Sequence, residues 1–449
     1  MNLKELFADH IQRVSAHTDK ALTVAAEAEA AYDGIVFHAG TQDNYHADDQ
    51  GIPFRPVPHF ARFAPVAGPE HLLVYRPGMR PRLYHVVPED YWYEPPAAPQ
   101  HPYAEVLEVV RVGSRDEASK AMGDVSRYAY VGNHPRAAAA LRIPLAQIEP
   151  KTLLAALDWF RGYKTPYEVH CIRAAARRAA SGHRRAREGF AAQHSERHLH
   201  TSYLDATTSL EFESPYTNII AWDANASVLH YQTKSTSAPN PGAVMLIDAG
   251  SAEHGYASDI TRTYANDRAH PMFRTMLDRM EDLQRQLVQS VRPGGSYVDL
   301  QADTHRGVAT ILCEAGLLRT SVDDAVERGL TRPFFPHGVG HHLGLQVHDV
   351  GGRQVDVKGA RREPPAGDPY LRTTRDLEVG HVLTVEPGLY FIPMLLEPYR
   401  GSRDSSAFDW NLVDQLVPCG GIRIEDDILV TTHGNEDLTR EHVPGHRTA

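Results

Sequence analysis

Apolar and polar positions along this chain change period most sharply around one short stretch. Ala243 to Asp248 is an apolar run that ends on a carboxylate and the small pair Ala249-Gly250, the pattern of a buried strand. Tyr256 to Tyr264 alternates instead, with Asp259, Thr261 and Thr263 on one face and Ile260, Arg262 and Tyr264 on the other. Asp248 and Asp259 stand eleven residues apart, an odd separation that residues facing each other across an even-membered hairpin loop must have. Two carboxylates so placed repel each other unless a cation lies between them.

Other elements follow from the same periodicities. Residues 1 to about 160 read as a mixed α/β domain: an amphipathic helix over Leu3–Thr23 and a buried strand over Gly34–Phe37. Leu72–Tyr75 and Leu83–Val87 alternate like neighbouring strands split by the turn Pro77-Gly78, and Tyr128–Gly132 offers a further strand. Pro95–Pro102 is a proline-rich connection, and His46, Asp48 and Asp49 form an acidic loop. Composition shifts near Phe160–Tyr163, which divides the chain into domains 1–160 and 161–449. Tyr167 to about His200 is rich in Ala and Arg and strongly helix-forming. Helices are also expected over Phe273–Val291, stopped by Pro293-Gly294-Gly295, and over Val298–Leu317.

Bulk properties narrow the function. A length of 449 residues allows two domains and a large core. The net charge of −11 argues against a dedicated nucleic-acid binder, so the arginines of the 167–200 helix read as a solvated face. Three scattered cysteines, Cys171, Cys313 and Cys419, make neither a disulfide framework nor a thiolate zinc site. With no signal-peptide pattern and no apolar run near the ~20 residues of a membrane span, a soluble cytoplasmic protein is expected.

The candidate chemistry lies in the second half. Phe335-Pro336-His337-Gly338-Val339-Gly340-His341-His342, with His348 downstream, clusters histidines on glycine-rich backbone that is no helical zinc motif. Val382-Leu383-Thr384-Val385-Glu386-Pro387 is a β-prone run closing on a carboxylate. Gly421-Ile422-Arg423-Ile424-Glu425-Asp426 alternates so that Arg423 and Glu425 share a face. Carboxylates on strand-like segments together with an imidazole suit two hard or borderline cations. Such a pair activates a water and polarises a carbonyl, which is hydrolytic chemistry. Asp259 and Glu425 are the natural bridging ligands, with Asp248 completing one ion and His341 and Glu386 the other.

These segments, in this order and spacing, resemble the Xaa-Pro dipeptidase (prolidase) family, and within it the bacterial branch that includes the organophosphorus acid anhydrolases. The resemblance implies an α/β (α+β) architecture: a pita-bread catalytic domain behind a smaller N-terminal domain. It implies two divalent metal ions per chain, with manganese the preferred occupant and cobalt or zinc the alternatives, and a homodimer. It also implies that Glu386 acts as general base, with His348 and His230 stabilising the oxyanion. His337, Tyr216, Tyr297, Arg372 and Arg423 would hold substrate, and Asp49 would reach the site of a second subunit. The activity implied is hydrolysis of Xaa-Pro dipeptides, with a side activity on organophosphate triesters. Aminopeptidase P, acting on longer Xaa-Pro peptides, is the alternative; a non-catalytic pita-bread binding module would have lost ligands that are present here. One departure is Phe212-Glu213-Ser214, where a more polar lead-in to Pro215-Tyr216 is expected.

Overall fold

The computed structural model describes residues 2–92 and 101–446, so the expected proline-rich connection lies, up to residue 100, outside the described residues. The chain forms two compact units, one running to Glu168 and including Gln354–Arg361, the other made of Val169–Arg353 and Arg362 onward. The expected boundary near 160 falls within the helix Lys151–Arg161 of the first unit.

The first unit is built on strands β1 (Ile35–His38), β2 (Leu72–Tyr75), β3 (Arg82–Val86), β4 (Glu108–Val112) and β5 (Ala129–Val131). They form one mixed sheet in the order β4-β3-β2-β1-β5, in which β1 and β2 and then β2 and β3 run antiparallel. The helix Leu3–Ala28 starts on a capping box between Asn2 and Glu5 and buries Phe7, Ile11, Val14, Ala21 and Ala25 at helical spacing. His10, on the same face, is fixed between the Thr165 hydroxyl and the Arg62 carbonyl, each at 2.7 Å. Arg62 in turn meets the wholly buried Glu168 carboxylate with two bonds of 3.2 Å.

The second unit carries the motif-bearing strands. β6 (Ile219–Trp222), β7 (Val244–Asp248) and β10 (Thr261–Ala265) make one antiparallel sheet, with β8 (Ala252–Glu253) and β9 (Tyr256–Ala257) continuing the β7–β10 hairpin. A second ribbon contains β11 (Val382–Val385), β12 (Gly388–Tyr390), β13 (Gly421–Arg423) and β14 (Asp426–Thr431), with β15 (Gly434–Asp437) beside β14. The helices Pro271–Ser290 and Tyr297–Glu314 supply Phe273, Met276, Met280, Val308 and Leu312 to the main core.

Two expectations change. The helical stretch after Tyr167 is two helices, Pro166–Ala191 and Glu196–Thr207, because Gln193 turns left-handed and Ser195 caps the second by accepting from His198. The two aspartates do not face each other. Asp248 pairs with Thr261, Ala252 with Ala257 and Glu253 with Tyr256, all in one register. That register closes on a two-residue turn, His254-Gly255, both with positive φ as a type I′ turn requires. Asp259 therefore falls opposite Gly250, on the face of Asp248 but two residues along. Facing carboxylates occur in the other ribbon. The pairs Val385↔Asp426 and Gly388↔Arg423 share a register in which Glu386 falls opposite Glu425.

The buried His10 gives the first unit an acid sensitivity. Burial lowers its pKa from 6.5 to about 4, so the folded state binds fewer protons than the unfolded one between those values. Stability is then full above pH 6.5 and falls as pH drops toward 4. The loss due to His10 between pH 8 and 5 is about 2 kcal/mol. Hydrogen exchange of the Leu3–Ala28 amides should report that drop, and His10→Gln should flatten it by about that amount.

Candidate metal centre

Strand ends converge on one buried cluster. Asp259, His341 and Glu425 each offer a ligand atom, all within 4.8 Å of one another and all buried. The Asp259 amide donates to both Asp427 carboxylate oxygens at 3.2 Å, which fixes the backbone where the hairpin widens. Glu425 sits in the gap between β13 and β14, bridged to Thr261, whose hydroxyl donates to Glu425 Oε2 at 2.6 Å. His341 follows Gly340, where a Cβ would come within 2.1 Å of the Thr384 carbonyl and 2.2 Å of the Tyr297 hydroxyl, so only glycine lets the segment lie this close to β11. The Nδ1 of His341 bonds the His342 carbonyl at 3.0 Å, so it carries a proton and Nε2 is the nitrogen turned to the acids. That Nε2 lies 3.4 Å from Asp259 and 3.5 Å from Glu386.

Asp248 and Glu386 border this group. Arg423 donates to Asp248 at 2.6 Å, to the Tyr390 hydroxyl at 3.0 Å and, through Nε, to the Thr261 hydroxyl at 3.1 Å. One guanidinium does not balance four carboxylates. Burial and the neighbouring acids push Glu386 up to about 7 and Glu425 well above its ordinary range. Burial also raises Asp248, although Arg423 opposes it. Burial works against the Asp259 anion too, yet His341 holds it below the usual carboxylate value. The Tyr216 hydroxyl lies against Asp248 and Asp259, and beside it Asp248 Oδ1 is buried with no well-formed hydrogen bond among the described residues. Excess buried negative charge, an imidazole Nε2 turned toward the acids and an unsatisfied Asp248 oxygen fit divalent cations in this site.

Relatives agree with that chemistry. Residues 170–432 match the model of metallopeptidase family M24, and residues 5–159 match the Xaa-Pro dipeptidase N-terminal domain. The chain is 38% identical to an Xaa-Pro dipeptidase of Pseudoalteromonas atlantica over 98% of each chain. It is 39% identical to one of Stenotrophomonas maltophilia over 97% of this chain and 96% of that one. The chain belongs to the Xaa-Pro dipeptidase family. It is a metal-dependent peptide hydrolase with the pita-bread fold. Aminopeptidase P from E. coli, solved with the inhibitor Pro-Leu, shares that fold with a TM-score of 0.74 and 24% identity, over 96% of this chain and 95% of that one.

The residues expected around a dipeptidase substrate take distinct positions. His348 packs edge-on against His341 at 4.4 Å between ring centroids, and the charges of Arg372 and His230 both bear on it. His230 also bears on His337, whose Nε2 meets the Tyr390 hydroxyl at 2.8 Å. His230, His348 and Arg372 are exposed, whereas Tyr216 is half-buried. Tyr297 is different: it is wholly buried, with its hydroxyl donated to the Thr384 carbonyl at 2.5 Å. It backs the strand that ends on Glu386. Asp49 is an exposed residue of the first unit, in the loop closed by the Asn44↔Gly51 bridge. Tyr390, Thr384 and Asp427 went unrecognised in the sequence. Tyr390 had a signal, since Glu386, Gly388 and Tyr390 share one face of a period-two run.

Ions that bind only the folded site must stabilise it. A cation at a hundredfold excess over its Kd adds about 2.7 kcal/mol. Calorimetry of chelator-treated protein should show a rise of several degrees in Tm when divalent cation is restored. Asp259→Asn should abolish most of that rise.

Proposed function

We propose that this member of the family hydrolyses Xaa-Pro dipeptides at a site holding two divalent ions. Asp248, Asp259, His341, Glu386 and Glu425 would hold them, Asp259 and Glu425 between the two. Oxygen donors outnumber the single imidazole, which favours manganese over cobalt or zinc. Bound there, such ions polarise the scissile carbonyl and lower the pKa of the attacking water. Glu386 takes the proton from that water and passes it to the proline nitrogen as the bond breaks. His348 and His230 donate to the developing oxyanion. An Xaa-Pro bond is a tertiary amide without an N–H, and none of these steps needs one.

The preference for dipeptides rests on Arg372. It is exposed, its charge bears on His348, and it pairs with no carboxylate among the described residues. Arg423, by contrast, is consumed by Asp248, Tyr390 and Thr261. A free guanidinium beside the reacting bond rewards a substrate whose carboxylate follows directly on proline. A homodimer in which Asp49 reaches the neighbouring subunit's site, and a cytoplasmic location, complete the assignment. No helix among the described residues is long and apolar enough to cross a membrane. The same activated water would also attack a phosphotriester whose substituents the pocket admits. A chromogenic phosphotriester without a metal-dependent rate would remove that side activity.

Three measurements test the assignment. Metal-loaded protein should contain two ions per chain. Glu386→Gln should lose several powers of ten in turnover. Wild type should cleave Ala-Pro far better than Ala-Pro-Ala, and Arg372→Ala should narrow the gap by about 30-fold in kcat/KM, the worth of about 2 kcal/mol. Equal wild-type rates on both peptides would favour aminopeptidase P activity instead.

A further inference from the structure

The loop Trp222–Ser235, which carries His230, has little regular structure beyond the short 3₁₀ turn Asp223–Ser227. What holds it is a carboxylate outside the loop. Glu196, at the start of the helix Glu196–Thr207, is 1% exposed. Its Oε1 accepts from the Trp222 amide and from the Asn225 side chain, both at 2.9 Å. Its Oε2 accepts from the Tyr231 hydroxyl at 2.7 Å and from the Ser235 amide at 2.6 Å. Two donors therefore precede His230 in the chain and two follow it. No Lys, Arg or His forms an ion pair with Glu196 among the described residues. Its four hydrogen bonds come from neutral donors of the loop and the strand end before it, and the cation whose charge it bears on, Lys234, belongs to the same loop. Moving the loop would strand a buried carboxylate, which is among the costlier events in a folded protein.

We infer that Glu196 is a positioning residue that clamps the His230 loop in the geometry catalysis requires. This rests on the role given to His230 in the proposed function. The hydrogen bonds of Glu196 go to the loop and to the strand end before it, and none reaches a candidate metal ligand or Arg372 among the described residues, so the group of the proposed mechanism that it holds is His230. Glu196→Gln keeps the size of the side chain but replaces an acceptor with an NH₂ that faces donors, so it loosens the loop without emptying the site.

The test is a double-mutant cycle on Ala-Pro hydrolysis with metal-loaded protein, reading kcat and KM separately together with ions per chain. Glu196→Gln should lower kcat about tenfold in the wild-type background, leave KM within about twofold and leave the ion content unchanged. In the His230→Ala background the same substitution should lower kcat less than twofold. Tyr231→Phe, which removes one donor, should show the same pattern at smaller size and serves if Glu196→Gln fails to fold. Equal losses in both backgrounds would overturn the clamp, since a general loss of folded or active protein is additive. No loss in the wild-type background would overturn it as well. A loss from Glu196→Gln with none from His230→Ala would overturn the role of His230 itself, and with it the target of the clamp.

Discussion

Four carboxylates confined to one buried space repel each other, and much of the second unit serves to keep them there. Two devices do this. The first is backbone register: Asp248 and Asp259 are fixed by the ladder of one hairpin, Glu386 and Glu425 by the ladder of another ribbon. The second is a layer of cations set behind the acids. Arg423 neutralises Asp248 from within the site. Arg262, on the opposite face of β10, donates to the Glu425 carbonyl at 2.7 Å and to the Asp426 carboxylate at 2.7 Å. Consecutive side chains of a strand point to opposite faces, so Glu425 turns into the cluster while Asp426 ties the same strand to Arg262.

That layer extends to the segment Thr439–His446. Arg440 shares the Asp426 carboxylate with Arg262 and also reaches Glu281. Arg262 donates to the Val443 carbonyl, while His446 meets Glu281 at 2.6 Å and Asp278 at 2.9 Å. Buried ion pairs of this kind add little net stability over an apolar core, but removing one partner costs a few kcal/mol. They therefore fix one arrangement. The Thr439 hydroxyl, which accepts from the Asp427 amide, links the same segment to the carboxylate under Asp259.

Asp248 and Glu386 were legible as candidate ligands because each closes a β-prone run, where a charge has no structural reason to be, and Asp259, His341 and Glu425 because a charge or imidazole recurs on one face or in one short cluster. The pairing between them was harder to read. The facing of Asp248 and Asp259 failed by two residues because the turn is His254-Gly255 and not Glu253-His254, a shift of one position for which Gly255, the residue best able to take a positive φ, was the only local mark. Glu386 and Glu425 are opposed only through a ribbon whose strands lie far apart in the chain, and such long-range register leaves no local trace. His230, His348 and Arg372 lie on irregular backbone, where position depends on tertiary contacts such as those of Glu196. Their roles came from resemblance rather than from periodicity. The split after Ala191 escaped notice because helix propensity is high on both sides of it.

The two ribbons also restrict how this chain can change length. Each is a ladder in a single register, and side chains alternate faces at every step. One residue added between Asp248 and the His254-Gly255 turn would send Asp248 to the opposite side of the sheet from Asp259. Two added residues, one on each arm, would lengthen the hairpin and leave both aspartates where they are. Drift in this part of the lineage is thus expected to proceed in matched pairs, with odd changes confined to the loops that no ligand-bearing strand must count across.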